Sequence, residues 1–316
     1  MVSNASETLT GRLAPSPTGV LHLGNARSFL LAWLSVRSRA GRILLRIEDI
    51  DGPRIKVEAT DQAIEDLRWL GLDWDGDVWV QSRRLEHYSA AVDRLAAAGL
   101  VYPCVCSRKE VEQAASAPHE ALAADGLQYP GTCRGKWQTR EEAKAATGRE
   151  AAMRFRVDAD AVEFVDGWLG PQPGPVAGDF VVQKRCGGPA YQLAVVVDDA
   201  AQGVTEVLRA DDLLPSTPRQ LLLYQALSLK PPKFLHVPLV TGEDGLRLAK
   251  RHGDTSLRYL RSQGVSAEQL VGYLAFLCGL RSRGSRCTAA ELLADFDLSR
   301  LPKGPVVGSD HDLLPD

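Results

Sequence analysis

The stretch from Arg12 to Asn25 constrains the fold of this chain more than any other part of it. It begins as a short apolar strand, passes through a turn rich in proline and glycine, and enters an amphipathic pattern that continues to about Arg39. A strand, a glycine-containing turn and a helix start direct free backbone N–H groups and the positive end of the helix at a ligand. Gly24 leaves room for a nucleotide against the backbone, and His22 can donate a hydrogen bond to a phosphate oxygen. The stretch therefore predicts a phosphate-binding site.

Strand and helix patterns alternate through the first hundred residues. Gly41 is predicted to end the first helix. An apolar strand is predicted over residues 42–47, and acidic residues follow it from Glu48. Helix patterns then cover residues 58–70 and a segment that ends at Leu95. Such alternation predicts an α/β fold with a parallel, doubly wound sheet of the Rossmann type. Acidic groups at the carboxyl end of a parallel strand lie where open sheets bind ligands.

Composition excludes several classes of protein. The 316 residues predict about two domains, and 24% charged with 45% hydrophobic residues is typical of soluble globular proteins. A net charge of -3 does not suit a chain that binds nucleic acid over its whole surface, so any RNA contact must come from a local basic patch. Residues 1–10 predict a loose leader rather than a signal peptide, and no apolar run reaches the ~18 residues of a membrane helix. We therefore expect a cytoplasmic protein with no membrane contact and with reduced cysteines.

The pattern changes at residue 101, and residues 101–188 are predicted to be an insertion between two halves of the sheet. Ser107 opens a capping box there, and strand patterns cover residues 153–157 and 179–184. The predicted organisation is a first catalytic half, an insertion, a second catalytic half, and a small helical region with a tail: 1–100, 101–188, 189–254 and 255–316.

Alternation returns after the insertion. The apolar run Leu193–Val197 predicts a central parallel strand, and residues 204–208 predict the next. Thr217 is predicted to cap a helix that has Pro218 at its first position and Gln220 three residues after the cap.

Three cysteines have the spacing of metal ligands. Cys104, Cys106 and Cys133 supply three of the four ligands of a tetrahedral zinc site. From the residues alone the fourth ligand is His119 or water, and three buried free thiols are the alternative. The other cysteines are predicted to be packing residues. These are Cys186, Cys278 and Cys287.

A basic loop covers residues 245–253. Arg247, Lys250 and Arg251 lie between two glycines, which fits either a solvated charge cluster or a mobile phosphate-binding loop. A mobile lysine can follow charge that develops only in a transition state.

Together these strings resemble the class I aminoacyl-tRNA synthetases, in particular the glutamyl enzymes. The first signature, known as HIGH, is matched by an Arg, a Pro-Ser-Pro-x-Gly run and His-Leu-Gly over residues 12–24, and the second, KMSKS in its Lys-Leu-Ser-Lys-Arg-His-Gly form, is matched by residues 247–253. The resemblance implies that Lys250 stabilises the triphosphate as pyrophosphate leaves. Arg247 replaces a lysine of the motif and keeps the charge, whereas Ala249 replaces a serine and removes a hydroxyl that could bind phosphate.

The same resemblance implies a pocket for glutamate. Arg12 and Arg209 match residues that bind the substrate carboxylates, Glu48 and Tyr191 match those that hold the ammonium group, and Ser16 lies in the loop of Arg12. It also implies a set of nucleotide-binding residues, of which His22, Gly24 and Lys250 are the catalytic ones. The set is Thr18, His22, Gly24, Asn25, Arg247 and Lys250.

The Cys-x-Cys … Tyr-x-x-x-Cys spacing resembles a zinc site in short relatives of the glutamyl enzymes, which implies Tyr129 as the fourth ligand. Only 37 residues follow Gly279, too few for an anticodon-binding domain, and residues 302–316 predict a weakly ordered tail. Shortness and the zinc pattern together resemble the glutamyl-Q tRNA(Asp) synthetases. The implied cofactors are ATP, Mg²⁺ and Zn²⁺, and the implied partners are L-glutamate and tRNA(Asp) that carries queuosine, bound by a monomer.

Three alternatives stay open from the sequence. They are a truncated glutamyl-tRNA synthetase that charges tRNA(Glu), a non-catalytic RNA-binding paralogue, and an adenylate-forming enzyme with a small-molecule acceptor. The basic residues that could contact RNA are Lys184, Arg185, Arg258, Arg261, Arg281, Arg283 and Arg286.

Overall fold

The structure is a computed structural model that describes residues 8–50, 57–115, 128–246, 248, 255–309 and 313–314. The helices in these ranges are α1 (Leu23–Arg37), α2 (Val57–Trp69), α3 (Leu85–Ala97), α4 (Arg108–Ala115), α5 (Arg140–Thr147), α6 (Tyr191–Ala201), α7 (Thr217–Ala226), α8 (Leu257–Ser262) and α9 (Ala267–Leu277). The strands are β1 (Thr10–Leu13), β2 (Arg42–Ile47), β3 (Trp79–Val80), β4 (Val101–Cys104), β5 (Ala152–Phe155), β6 (Phe164–Asp166), β7 (Gly170–Gln172), β8 (Phe180–Gln183), β9 (Glu206–Ala210), β10 (Lys233–Val237), β11 (Val240–Thr241) and β12 (Val306–Val307).

The central sheet is parallel and is assembled from both halves of the chain. β1 pairs with β2, and β2 pairs with β3, while β9 pairs with β10. β9 lies beside β1, because the Thr205 N–H donates to the Thr10 carbonyl at 2.8 Å where both strands begin. The strand order is therefore β3-β2-β1-β9-β10, and the predicted α/β fold with a parallel sheet is confirmed.

Alternate side chains of β2 enter two different hydrophobic cores. Ile43 and Leu45 pack in the core that contains α1, α2 and α9, whereas Leu44 packs in the core that contains α3, α6 and α7. Successive side chains of a strand point to opposite faces, so the sheet is covered by helices on both sides.

The apolar run Leu193–Val197 is not a strand. It lies in the middle of α6, and the prediction of a central strand is wrong. A short apolar run fits a buried helix and a buried strand equally well when neither face is exposed to water. Here Leu193, Ala194 and Val196 pack against α3 and α7 in one core, so tertiary burial rather than β-propensity decides the conformation.

Two predicted helix boundaries also need correction. Ala40, not Gly41, adopts the left-handed conformation after α1, with φ of 54°. Gly41 is required for a different reason, since a Cβ there would lie 2.7 Å from the Leu9 carbonyl oxygen. Thr217 does not cap α7; Ser216 precedes the helix without a capping side-chain bond, and the Thr217 hydroxyl bonds to other side chains.

The insertion contains a three-stranded antiparallel sheet, in the order β4-β5-β8, and a separate β6-β7 hairpin. The capping box of α4 is confirmed, because Ser107 N–H donates to Glu110 and Glu110 N–H donates to Ser107 Oγ. The hairpin lies against the edge of the central sheet, where the Gly167 N–H donates to the Phe234 carbonyl at 2.8 Å. The insertion therefore contacts β10 directly.

The end of the described chain returns to the catalytic half. Ser266 caps α9, and the turn after Thr288 is a 3₁₀ helix, Ala290–Asp295. The prediction of a weakly ordered tail is wrong for its described part, since β12 pairs in parallel with β11. Among the helices that the structure describes, none is long and apolar enough to cross a membrane.

Candidate active site

A cleft of about 620 Å³ opens beside the carboxyl ends of β1, β2 and β9. This is the edge at which open parallel sheets bind ligands. The predicted site residues that line it are Arg12, Ser16, Thr18, His22, Asn25, Glu48, Tyr191 and Arg209. Gly24 lies directly behind His22, and the loop residues Arg247, Ala249 and Lys250 lie outside the described part of the chain.

His22 is the N-cap of α1. Its Nδ1 accepts a hydrogen bond from the Gly24 N–H at 3.2 Å, and the Asn25 Oδ1 accepts one from the His22 N–H at 3.3 Å. Because Nδ1 accepts, the neutral imidazole carries its proton on Nε2. His22 therefore has a fixed tautomer with Nε2 as the donor. A Cβ on residue 24 would lie 3.1 Å from the imidazole Cε1, which explains the glycine there.

The free backbone N–H groups predicted at this helix start are not free. The Leu23 N–H donates to the Thr255 carbonyl at 3.1 Å, and the Gly24 N–H is held by His22. A helix start leaves its first N–H groups without intrahelical partners, and here Thr255 and His22 accept from the first two.

The loop that carries Ser16 is fastened to the end of β2. The Ser16 hydroxyl donates to the Glu48 carbonyl at 3.0 Å, and the Glu48 N–H donates to the Pro15 carbonyl at 3.0 Å. These reciprocal bonds hold the proline-rich turn and the acidic strand end together at one side of the cleft.

A buried charge network lies beneath the cleft. Arg46 is fully buried in β2 and donates to Glu48 Oε1 at 2.9 Å and to Asp199 Oδ1 at 2.6 Å. Arg12 Nε lies 3.2 Å from the same Asp199 oxygen. Burial alone would lower the pKa of Arg46, and the surrounding carboxylates raise it instead. Burial raises the pKa of Glu48, while Arg46 and Arg12 oppose that shift.

Asp198, the neighbour of Asp199 in α6, extends this network. It accepts from Gln81 Nε2 at 2.9 Å, from Arg84 Nε at 2.8 Å and from the Tyr88 hydroxyl at 2.7 Å. Burial raises the pKa of Tyr88, so this hydroxyl remains a donor. The network therefore ties α3, α6 and β2 together under the cleft.

Arg209 presents an unpaired donor to the cleft. Its Nε donates to His236 Nε2 at 2.9 Å, and its Nη2 donates to Thr217 Oγ1 at 2.9 Å. Nη1 is buried and has no hydrogen-bond partner among the described residues. A buried guanidinium N–H without an acceptor is costly, so a ligand oxygen at this position would gain a charge-assisted bond. Burial also raises the pKa of Tyr191, which keeps its hydroxyl protonated.

A second group of convergent side chains lies in the insertion. The sulfurs of Cys104, Cys106 and Cys133 all lie within 4.8 Å of one another. The Tyr129 oxygen lies 3.4 Å from Cys104 Sγ and 3.6 Å from Cys106 Sγ, and Arg154 Nε lies 3.1 Å from Cys104 Sγ. Of the other cysteines, Cys278 and Cys287 are buried as predicted, whereas Cys186 is exposed.

Comparisons with known proteins show the family to which the chain belongs. Residues 8–314 match the family described as tRNA synthetases class I (E and Q), catalytic domain. The chain is 51% identical to the glutamyl-Q tRNA(Asp) synthetase of Symbiobacterium thermophilum, over 94% of this chain and 95% of that relative. The chain belongs to the class I tRNA synthetases, among the glutamyl-Q tRNA(Asp) synthetases.

Longer relatives share the same catalytic part. The glutamate–tRNA ligase of Synechococcus sp. is 43% identical, over 85% of this chain and 58% of that relative. The crystal structure of a glutamate tRNA ligase from Elizabethkingia meningosepticum in complex with its amino acid superposes with a TM-score of 0.80 at 25% identity, over 97% of this chain and 68% of that chain.

Sequence reasoning missed several residues that hold the site together. The role of Arg46 could have been found from the sequence, because an arginine inside an apolar strand pattern must find buried acceptors. The roles of Asp198 and Asp199 could not be found in this way, because the segment before them was predicted to be a strand. Of the basic residues considered for RNA, Arg261 and Arg281 form ion pairs within the chain, with Glu65 and Asp295 respectively.

Proposed function

We propose that this protein activates L-glutamate with ATP and transfers the glutamyl group to queuosine in tRNA(Asp). In the first step the α-carboxylate of glutamate attacks the α-phosphorus of ATP, which forms glutamyl-adenylate and releases pyrophosphate. In the second step a hydroxyl of the queuosine cyclopentene ring attacks the glutamyl carbonyl, which forms the ester and releases AMP. Neither step needs a covalent enzyme nucleophile, so the protein acts by positioning and by neutralising charge.

The observation that carries the glutamate assignment is the mixed charge of the cleft. Arg12 and the unpaired Nη1 of Arg209 offer donors for carboxylates, and Glu48 and Tyr191 offer acceptors for an ammonium group. Bidentate or paired Arg–carboxylate contacts give such a pocket its geometry. A dicarboxylic amino acid has both kinds of group, and the names of the relatives reported above support glutamate.

For the nucleotide, we propose Thr18, the Nε2 of His22, Asn25, Arg247 and Lys250 as the residues that bind ATP, with Gly24 keeping the imidazole in place. Donors aimed at the phosphates stabilise charge as pyrophosphate leaves. Mg²⁺ supplies further neutralisation of the triphosphate when it is bound.

We also propose that Cys104, Cys106, Tyr129 and Cys133 hold a structural zinc ion. A tetrahedral ion with Zn–S bonds of about 2.3 Å places its sulfurs about 3.8 Å apart, and the observed separations are compatible with that value. Burial raises the pKa of the Cys106 thiol to about 11, and a bound divalent cation would hold that thiol as its anion. The residues fit zinc, which would supply rigidity to the insertion.

The experiment that tests the function compares four acceptors with labelled glutamate, ATP and Mg²⁺. They are tRNA(Asp) with and without queuosine, tRNA(Asp) with queuosine but without its 3′-terminal adenosine, and tRNA(Glu). We expect equal labelling of both queuosine-containing tRNAs and none of the others. Labelling of tRNA(Glu) that is lost with its 3′ adenosine would instead make the protein a glutamate–tRNA ligase.

A further inference from the structure

A fully buried chain of hydrogen bonds joins the insertion to Arg209. Asp166 Oδ2 lies 2.6 Å from His236 Nδ1, and His236 Nε2 lies 2.9 Å from Arg209 Nε. The exposed fractions of the Asp166 and His236 side chains are both 0%, so no water competes with these bonds. The three residues come from β6, β10 and β9.

The direction of each bond follows from Arg209. A guanidinium N–H can only donate, so His236 Nε2 must accept and therefore carries no proton. The single proton of the neutral imidazole is then on Nδ1, where it is donated to Asp166. The Thr217 hydroxyl accepts from Arg209 Nη2 and lies 3.2 Å from His236 Nε2, to which it can donate. Nη1 is then the guanidinium nitrogen without a partner among the described residues.

The Asp166 carboxylate is itself held by the β6-β7 hairpin. Its Oδ1 accepts from the N–H groups of Trp168 and Leu169, both at 2.9 Å, and from the His236 N–H at 3.2 Å. These bonds lower the pKa of Asp166 against the effect of burial, so the carboxylate is charged. The hairpin therefore influences the position of Arg209 in the cleft through the side chains of Asp166 and His236.

We infer that Asp166 is a positioning residue for substrate binding: by fixing the Nδ1-protonated tautomer of His236, it aims the Arg209 guanidinium at the substrate carboxylate. The inference rests on the proposed role of Arg209 in holding glutamate. Loss of the carboxylate would let His236 take the other tautomer, with its Nε2–H directed against the Arg209 Nε–H. Two facing donors repel, and Arg209 would leave its position.

The test is the Asp166→Asn variant of the full chain, in glutamate-dependent ATP–pyrophosphate exchange. The asparagine can keep the bonds from the hairpin N–H groups but can donate to His236 Nδ1. We expect the KM for glutamate to rise about 10- to 100-fold, as for one misplaced charge-assisted bond, with the KM for ATP little changed. ¹⁵N spectra of histidine-labelled protein should show the His236 proton moving from Nδ1 to Nε2.

The matched control is Asp179→Asn, since Asp179 is also a buried aspartate of the insertion but bonds to Tyr102 and the Val157 N–H. Its KM for glutamate should stay near wild type. A second pair of variants distinguishes the roles of the two imidazole nitrogens. His236→Gln can offer an acceptor in place of Nε2, whereas His236→Asn replaces only Nδ1. We expect the lower KM for glutamate in the glutamine variant.

An unchanged tautomer and KM for glutamate in Asp166→Asn would overturn the inference, as would equal losses in Asp166→Asn and Asp179→Asn. The proposed function fails separately, if the wild-type protein shows no exchange with glutamate. The ¹⁵N spectra would then still decide whether Asp166 fixes the tautomer.

Discussion

Arg46 and Asp199 form a fully buried ion pair, with Arg46 Nη1 2.6 Å from Asp199 Oδ1. The two residues are separated by 153 positions and lie on opposite sides of the insertion in the chain. Their pairing therefore joins the two halves of the catalytic domain directly under the cleft.

Replacement of Arg46 by Met should strongly destabilise the fold. The substitution leaves buried carboxylates at Glu48 and Asp199 without their shared cation, and breaking a buried pair costs about 3–5 kcal/mol. Urea unfolding should show this loss. The matched control is Arg108→Met: Arg108 is 88% exposed in its ion pair with Glu112, and such surface pairs contribute little. Equal stabilities for the two variants would contradict the structural role of the network.

Glu48→Gln should weaken glutamate binding without affecting ATP. The amide keeps the shape of the carboxylate but removes the charge that we propose pairs with the substrate ammonium, so the KM for glutamate should rise about 10- to 100-fold. Steady-state exchange kinetics measure both KM values. A parallel rise in the KM for ATP would show a general distortion of the cleft instead.

The same residue predicts a pH dependence. Burial raises the pKa of Glu48 above its usual value of 4.5, so the carboxylate takes up a proton at a higher pH than an exposed glutamate does. The KM for glutamate should therefore rise as the pH falls from neutrality into the mildly acidic range. Glu48→Gln has no such proton to bind, and its KM should be nearly flat over that range.

Lys250→Ala should reduce the rate of ATP–pyrophosphate exchange about 10²- to 10³-fold, the loss typical of one donor that stabilises transition-state charge. Lys144→Ala is the matched control, because Lys144 is an exposed lysine of the insertion. An active Lys250→Ala protein would remove the reason to regard the basic loop as catalytic. Restoring the motif with Ala249→Ser should not lower the rate.

Metal analysis of protein purified without chelator should find one zinc ion per chain. Cys133→Ser should lose it, and Tyr129→Phe should bind it more weakly, because each removes one ligand. Cys186→Ser should keep it, since Cys186 is exposed and lies outside the thiol cluster. Full zinc content in Cys133→Ser would contradict the proposed ligand set.

Much of the cleft could be predicted from local patterns. Arg12 lies near the end of β1, Glu48 directly follows β2, and His22 precedes α1. Parallel strands bring their carboxyl ends to one edge of the sheet. The Cys and Tyr spacing in the insertion similarly predicts residues that do converge. The order of β1, α1, β2, α2 and α3, and later of β9 and α7, is visible in the periodicity of the sequence. The helix α5, the β6-β7 hairpin and β12 were not predicted from it.

The sequence by itself determined which segments form many of the elements, because local patterns depend on neighbours a few positions away. Its resemblance to the glutamyl enzymes implied which residues line the cleft. Only the tertiary structure decided that residues 193–197 are helical, that β12 returns to β11, and that Asp166 reaches Arg209 through His236. Asp166 and His236 are 70 positions apart. Pairs of that kind depend on how the hairpin packs against the sheet, and burial then fixes their charges and hydrogen bonds.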